Sequence, residues 1–259
     1  MPESSLSIGL PELQEEVGGY LGYGRTAADW TTDQASLVDS RIQAGVRQVY
    51  YPPALDGQER GHGWSFLRPS TTLTLTEDTG DYNMPDDFGR LVGDLHFAAD
   101  KYRSSIKEIA VGDILDMRSN SSSVSGTSRY AATRYKAADG TAGQRQEILF
   151  YPTPDDDYVL SYEYEAYNGK LTDAAPYPLG GMQYAELYIS SCLAVAERRD
   201  NDEVGIHNQD FTRLLADAIS RDRKHGAKNF GQMGDHESDS TTKRYRYSDY
   251  PITYHGTTY

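Results

Sequence analysis

The spacing of apolar residues changes twice along this chain, and these changes constrain the fold more than any other feature. Apolar residues recur every three or four positions up to Tyr50, alternate with polar residues between Trp64 and Tyr167, and return to helical spacing from Leu179. Helices repeat near every 3.6 residues and strands every two. The sequence therefore predicts a helical part, a β-rich part and a second helical part, in that order.

Four segments have the spacing of amphipathic helices. The first runs from Ser7 to Tyr23, and the second begins near Thr32 or Asp33, either of which could cap it, and ends before Pro52. Two more cover Leu179 to Arg199 and Ile206 to about Gly226. The faces expected to be buried are Val38, Ile42, Val46, Val49 and Tyr50 in the second helix; Met182, Ala185, Ile189, Cys192, Leu193 and Ala196 in the third; and Phe211, Leu214, Leu215, Ala218 and Ile219 in the fourth.

The β-rich part contains several segments with the period of a strand. Tyr158 to Tyr167 is the clearest, since Tyr158, Leu160, Tyr162, Tyr164 and Ala166 share one face. Leu73 and Leu75 alternate with threonines, and Leu91–Phe97, Tyr130–Lys136 and Glu147–Tyr151 are also predicted strands. The serine-rich stretch from Arg118 to Gly126 is predicted to be a mobile loop tip.

These patterns predict an α+β fold. N-terminal helices and two C-terminal helices form a helical bundle, and an antiparallel β-sandwich or barrel-like domain is inserted between them. The predicted boundaries are 1–60 for the N-terminal helical part, 61–176 for the β-domain, 177–227 for a C-terminal helical hairpin that packs on the N-terminal helices, and 228–259 for an extended C-terminal arm. Trp64 and Phe66 lie where the period changes, so we expect them to anchor that junction.

The charge of the chain is strongly acidic and unevenly placed. Its 259 residues include 25 Lys and Arg against 39 Asp and Glu, a net charge of −14. Residues 228–259 carry equal numbers of both signs, so the excess lies in residues 1–227. A protein that grips nucleic acid should present a basic surface. The composition argues against gripping DNA and remains compatible with DNA sliding past.

No residue pattern points to catalysis, a cofactor or a metal, and we predict that the chain is not an enzyme. The single cysteine, Cys192, excludes an internal disulfide and is expected to be a buried core thiol. The Gly22–Ala27 stretch imitates a dinucleotide fingerprint without a preceding strand. The acidic residues from Glu77 to Asp87 lack the spacing of a calcium loop. No apolar run approaches the length of a membrane span, so a soluble protein made in the cytoplasm is expected.

The C-terminal arm carries the clearest candidate binding residues. Disordered tails are usually poor in aromatic residues, whereas this one places them beside basic residues. A protein groove is the favoured target, with an idle tail and single-stranded nucleic acid as alternatives, since the arm has no net charge. The candidate partner-binding residues are Arg244, Tyr245, Arg246, Tyr247, Tyr250, Tyr254 and Tyr259.

The order of segments resembles the head–tail connector adaptors, or gatekeepers of the tail tubular A type, of tailed bacteriophages. The resemblance covers roughly residues 6–226, and the long inserts around Asp100–Gly143 and the C-terminal arm depart from it. The residues that carry it are Arg41-Ile42-Gln43, Gly63-Trp64-Ser65-Phe66, Leu73-Thr74-Leu75, the stretch from Tyr82 to Phe88, and the helices Leu179–Arg199 and Ile206–Arg223.

The resemblance implies a structural virion protein at the neck between head and tail, made in the host cytoplasm. It implies a homododecameric ring that contacts the portal protein, neighbouring adaptor subunits and the next tail or neck component. DNA would pass through the lumen during ejection without specific binding, with no cofactor and no membrane contact. Since −14 per copy is self-repelling, we expect the ring to close on the portal rather than in the isolated protein.

A tail-associated module that binds a receptor or a glycan is the alternative from another class. The aromatic strand Tyr158–Tyr167 could supply stacking faces for sugars. Such a module needs several aromatic rings facing solvent on one surface. The period of this strand instead predicts that its tyrosines point inward, which favours the adaptor.

Overall fold

The computed structural model describes residues 4–54, 61–99, 104–121, 124–138, 140, 143–202 and 204–225, and the backbone of 253–254 and 257–258. The described part is mixed α and β, which confirms the α+β class. Its helices are α1 (Leu10–Tyr20), α2 (Thr32–Tyr50), α3 (Val111–Asn120), α4 (Ala185–Asp200) and α5 (Ile206–His225). Its strands are β1 (Ser70–Leu75), β2 (Asp81–Asn83), β3 (Phe88–Phe97), β4 (Lys107–Glu108), β5 (Tyr130–Tyr135), β6 (Gln146–Tyr151), β7 (Tyr158–Ala166), β8 (Thr253–Tyr254) and β9 (Thr257–Thr258).

Both N-terminal helices are capped at their start, α1 by one hydrogen bond and α2 by a reciprocal pair. The amide of Gly9 donates to Glu12 Oε2 at 3.0 Å at the start of α1. At the start of α2, the amide of Gln34 donates to Thr31 Oγ1 and the amide of Thr31 donates to Gln34 Oε1. The cap of α2 is therefore Thr31, and the prediction of Thr32 or Asp33 is wrong by one or two residues.

The helices α1, α2, α4 and α5 share one hydrophobic core. The predicted stripe of α2 is buried, as are Phe211, Leu215, Ala218 and Ile219 of α5. The stripe of α4 differs from the prediction, because Met182 precedes the helix in a 3-10 turn and its side chain is 46% exposed. Cys192 and Ala196 of the predicted stripe are buried, and Tyr184, Leu187 and Tyr188, which were not predicted, are buried beside them.

Helices α2 and α4 approach each other closely at Gly45. A methyl group on Gly45 would lie 2.6–2.8 Å from Sγ, Cα and N of Cys192, which is closer than atoms can approach without a shift. Ser191 Oγ donates to the carbonyl of Gly45 at 2.8 Å. The contact therefore depends on a residue without a side chain. The prediction that Cys192 is a buried core thiol is confirmed.

The residues Arg41, Ile42 and Gln43 connect α2 to three different places. Arg41 forms two 2.8 Å hydrogen bonds to the carboxylate of Asp200 at the end of α4. Ile42 is buried in the core, and the side-chain amide of Gln43 both donates to and accepts from the backbone of Leu171. Their role in the described structure is to hold α2 in place.

Seven strands form two sheets before α4. The three-stranded sheet has the order β1-β7-β3 and is antiparallel. The four-stranded sheet has the order β2-β6-β5-β4, with β4 parallel to β5. In the described residues these strands form open sheets, not the closed barrel that the barrel-like alternative would require.

Side chains from both sheets meet in a second hydrophobic core. The predicted inward face of β7 is confirmed, since Tyr158, Leu160, Tyr162, Tyr164 and Ala166 are all buried. They pack with Leu75 of β1 and with Ile148 and Phe150 of β6. Leu149, between these two residues, points to the opposite face of the four-stranded sheet, as the period of a strand requires.

Helix α3 covers that opposite face, and the sequence did not predict it. Ile114 is the fully buried side chain of α3 and packs on Ala132 and Leu149. The helix includes Arg118, which was assigned to a mobile loop tip. Arg118 instead donates to the carbonyls of Gly80 and Phe150 and forms an ion pair with Asp81. The start of the serine-rich stretch is thus tied to the sheet.

The chain divides into a compact unit that ends at Asp222 and a second unit, Arg223–Tyr259. Both hydrophobic cores belong to the first unit. In the second unit, β8 pairs with β9 in an antiparallel hairpin, with Thr253 opposite Thr258 and Tyr254 opposite Thr257.

Candidate functional site

The predicted arm residues lie almost entirely outside the described part of the chain. These are Arg244, Tyr245, Arg246, Tyr247, Tyr250 and Tyr259. Tyr254 lies in β8, where only the backbone is described. The arm therefore stays a prediction, and the candidate surface described below comes from the body of the protein.

A groove of about 490 Å³ opens between the C-terminal halves of α2 and α4. We call it the tyrosine–arginine groove. Both walls follow from the close contact of α2 and α4 at Gly45, which sets where the ends of the two helices lie. The groove is lined by Ala44, Arg47, Gln48, Tyr51, Pro53, Val195, Arg198 and Arg199.

Three arginines give the groove a positive charge in an otherwise acidic chain. Arg47, Arg198 and Arg199 are exposed, and within the described residues none of them forms an ion pair. Arg198 makes a 3.4 Å hydrogen bond to Gln48 Oε1. Cations are stabilised near the C-terminus of a helix, which explains their presence in part. Their guanidinium groups keep donors available for a partner's carboxylates.

The carboxylate closest in the chain to these arginines already has a partner. The two hydrogen bonds from Arg41 hold the pKa of Asp200 below its ordinary value against the opposing effect of burial, and the charge of Arg199 acts in the same direction. The same ion pair raises the pKa of Arg41. Asp200 is thus paired mainly with Arg41 and interacts more weakly with Arg199, while Arg47 and Arg198 have no ion pair in the described residues.

Tyr51 lines one end of the groove, and the ring of Tyr167 packs against it from outside the lining. The rings of Tyr51, which follows α2, and Tyr167, which follows β7, meet edge to face with centroids 5.6 Å apart. Tyr51 OH donates to the carbonyl of Ala166 at 3.2 Å. A methyl group on Gly89 would lie 2.9 Å from the ring of Tyr167, so this ring lies close against the strand β3.

Both tyrosine rings remain partly open to solvent. Tyr51 is 41% and Tyr167 is 51% exposed. Partial burial raises the pKa of Tyr51 to about 12, and the neighbouring Tyr167 and Glu165 add to this shift, so its hydroxyl stays protonated at neutral pH. Tyrosine and arginine are the residues enriched at the energetic centres of protein interfaces. The groove has the composition of a protein-binding surface.

The sequence alone does not reveal this groove. Arg47 and Gln48 lie off the predicted buried stripe of the second helix, and Arg198 and Arg199 lie at the predicted end of the third. Each group is unremarkable alone, because basic residues are common in the last turn of a helix. Only the packing of α2 against α4 brings the two groups together.

A partly buried cluster of Ser65, His62 and Asp222, in which only Asp222 is fully buried, was also missed. Ser65 Oγ donates to Asp222 Oδ1 at 2.5 Å, the amide of Ser65 donates to the same carboxylate, and His62 Nε2 lies 2.7 Å from Asp222 Oδ2. Burial works to raise the pKa of Asp222, but the hydrogen bonds from Ser65 and His62 outweigh it and hold the pKa below its ordinary value.

The geometry of this cluster differs from that of a hydrolase triad. In a triad the histidine receives the proton of the serine hydroxyl, and here that hydroxyl is directed at the carboxylate instead. His62 packs edge to face on Trp64 at 4.8 Å, and Trp64 Nε1 donates to the carbonyl of Val49 at 2.7 Å. The cluster fastens α5 to the segment that precedes β1, within the helical core.

The glycine motif after α1 and the tyrosines of β7 have structural roles in the fold. Gly22 and Gly24 have positive φ values in the turn after α1, so they serve chain reversal there. Within the described ranges, no group of three or more His, Cys, Asp or Glu is placed to hold a metal ion. The buried tyrosines of β7 do not offer rings to a glycan. No helix in the described part is both long and apolar enough to cross a membrane.

Comparison with known proteins gives the family of the chain. The family model described as SU10 adaptor protein matches residues 10–231, which include all five helices and the seven strands of both larger sheets. A comparison with curated proteins found no match. The match covers far more than half of the 259 residues. The chain therefore belongs to the SU10 adaptor protein family and is a phage structural adaptor protein, a component of the virion that associates with other head or tail proteins.

Proposed function

We propose that this protein is a subunit of the ring at the neck of the phage particle, which joins the portal to the tail. The ring contains twelve copies and surrounds the channel through which DNA is ejected. Each copy contacts the portal protein, its two neighbours in the ring and the next neck or tail component. The C-terminal arm of 228–259 contributes to these contacts.

The observation that carries the proposal is the adaptor-family match from residue 10 to residue 231. It includes the helical core, the sheet core and the tyrosine–arginine groove, so the match is not confined to one shared element. The described part also offers a groove lined by arginines and a tyrosine, a composition suited to binding a protein partner.

The net charge is consistent with a channel protein. A surface that carries −14 per copy does not bind the phosphates of DNA strongly, because binding of DNA depends on basic side chains that replace its counterions. Ejection requires DNA to pass quickly, and an acidic lumen favours passage over retention. DNA would then move past the ring without a specific site.

The test is the position and the symmetry of the protein in the intact particle. We expect imaging of the particle to place the coordinates of residues 10–225 in a ring of twelve copies between portal and tail. Quantitative mass spectrometry of purified particles should independently give about twelve copies. Density for the chain at a tail fibre or on the capsid surface, or a copy number that fits another symmetry, would contradict the proposal.

A further inference from the structure

We propose that the tyrosine–arginine groove binds an acidic corner of a second copy of this chain. The acidic corner consists of Glu77, Asp78, Asp155, Asp156 and Asp157. The contact is heterologous, because it joins two different surfaces of identical molecules, and repeating it produces a ring or a filament. The inference deepens the proposed function, since it names which surfaces of neighbouring ring subunits meet.

The acidic corner is formed by two loops of the sheet core. Glu77 and Asp78 follow β1, and the three consecutive aspartates precede β7. The amide of Asp78 donates to the carbonyl of Pro154 at 2.9 Å, which holds the loops together. All five side chains are exposed, and within the described residues none of them forms an ion pair.

Internal hydrogen bonds hold the corner in one shape. Tyr158 OH donates to Asp155 Oδ1 at 2.7 Å, and the amide of Glu77 donates to Asp157 Oδ1 at 3.1 Å. A carboxylate has about four acceptor positions, so each of these aspartates keeps several for a partner. A loop that is ordered before binding loses less conformational entropy when it binds.

The groove and the corner have complementary charge and chemistry. The groove offers guanidinium donors from Arg47, Arg198 and Arg199, and the corner offers carboxylate acceptors that have no cation of their own. Arginine binds carboxylates through paired hydrogen bonds, which fix orientation as well as contributing attraction. The partly exposed rings of Tyr51 and Tyr167 supply apolar area beside these charges.

Double-stranded DNA fits the groove less well than a second copy does. DNA binding depends on several phosphate contacts from basic residues. The groove has three arginines, and the net charge of −14 on the chain that carries them repels DNA. The groove is also lined by Pro53 and Val195, which offer no donor to a phosphate, and by Tyr51, whose hydroxyl already donates to the carbonyl of Ala166. The acidic loops of an identical chain bring negative charge close to the arginines, and they are smaller than a DNA duplex.

Two neutralised variants separate the two surfaces. The groove variant carries R47Q, R198Q and R199Q, and the corner variant carries D155N, D156N and D157N. Asparagine keeps the oxygen that accepts from Tyr158 or Glu77, so the loop retains its hydrogen bonds. Circular dichroism first verifies that both variants are folded.

Sedimentation velocity over a series of protein concentrations gives the result. We expect the isolated wild type to form open oligomers at high concentration, short of the closed ring that is expected on the portal. Each variant alone should bind itself at least roughly tenfold more weakly, because its contact lacks one charged side. Mixing the variants should restore one contact only, between the intact groove of the corner variant and the intact corner of the groove variant. The mixture should therefore stop at a 1:1 dimer.

A matched control holds the change of net charge constant. The variant R25Q/R145Q/R213Q also loses three positive charges, from exposed positions outside the groove. It should associate as the wild type does. Self-association that is lost equally in this control would assign the effect to net charge rather than to the groove, and the proposal would then be wrong.

Further outcomes also overturn the inference. These are a wild type that stays monomeric at every concentration, and a variant mixture that stays monomeric or grows beyond dimers. Fluorescence anisotropy with a DNA duplex tests the other occupant: wild-type binding that the groove variant loses would assign the groove to DNA. None of these measurements reports where the protein lies in the particle, so their results neither support nor contradict the proposed neck position.

Discussion

In the helical core, buried polar groups donate to main-chain carbonyls of neighbouring elements, whereas in the sheet core tyrosine hydroxyls bond to the loops at its margin. Trp64, Tyr188 and Ser191 donate to the carbonyls of Val49, Leu179 and Gly45. Tyr82 OH bonds to the backbone of Thr76 and Thr79, and Tyr158 and Tyr164 donate to Asp155 and Asp87.

This difference separates the roles of the two regions. Polar contacts in the helical core fix one element against another, so losing them should lower the stability of the whole unit. In the sheet core, the tyrosine rings pack in the apolar interior, and their hydroxyl groups hold the loops at its margin, including the acidic corner. Losing them should release a loop while the fold remains. The four predictions below test this contrast, beginning with the largest expected effect.

Replacing Trp64 with alanine should give the largest loss. Trp64 is 1% exposed and packs on Phe66 and Tyr184 with ring centroids 5.2 and 5.4 Å away. Truncation of such a side chain typically lowers the free energy of unfolding by about 3–5 kcal/mol. Urea denaturation followed by circular dichroism measures it. The control Y135A, at a side chain that is 63% exposed, should change it by less than about 0.5 kcal/mol.

Replacing Gly45 with alanine should separate α2 from α4. The added methyl group would lie within 2.8 Å of three atoms of Cys192, and overpacking of this kind typically costs about 1–3 kcal/mol. The matched control is G112A in α3, where no atom lies within 4 Å of the added methyl group. It should be neutral or stabilising by up to about 1 kcal/mol. Equal effects of the two substitutions on the melting temperature would refute the importance of the close contact.

Replacing Asp222 with asparagine should remove an acid-sensitive part of the stability. The pKa of Asp222 is lower in the folded protein than its ordinary value near 4, so its charge stabilises the fold above that value. This contribution is lost as the pH falls through the lowered folded-state pKa. We expect D222N to be about 1–2 kcal/mol less stable at neutral pH. The difference from the wild type should shrink below about pH 4 in urea titrations; a constant difference would contradict the assignment.

Replacing Tyr164 with phenylalanine should have the smallest effect on global stability and a clear local one. The ring remains stacked on Phe88, but the 3.0 Å hydrogen bond to Asp87 is lost, at a cost of about 1 kcal/mol. Hydrogen exchange should speed up in the loop that contains Asp87 and remain unchanged in α2. Faster hydrogen exchange throughout the unit would contradict the proposal that hydroxyl groups of the sheet core hold only local loops.

Local periodicity predicted the elements whose buried face is regular. The inward face of β7 and the stripe of α2 follow the periods of 2 and 3.6 and were correct. The helix α3 was missed because Ile114 is the one residue of it that is fully buried, so its sequence lacks a recognisable stripe. Met182 fits a helical stripe by spacing, and the turn before α4 places it at the surface.

The candidate surface could not have been predicted in the same way. The groove requires that Arg47 and Arg198 come from helices separated by more than a hundred residues in the chain and meet through the contact at Gly45. No local spacing encodes that meeting. The order of segments nevertheless indicated a phage adaptor, and the adaptor match extends over both cores. The head–tail connector type stays a prediction.

The burial of Cys192 makes this protein convenient for chemical labelling. Its sulfur lies between α2 and α4, and burial raises the pKa of the thiol to about 12. A thiol that is both buried and protonated reacts slowly with maleimides, and the chain has no other cysteine. A cysteine introduced at any exposed position would therefore take up a dye or a spin label alone, without first removing a native one.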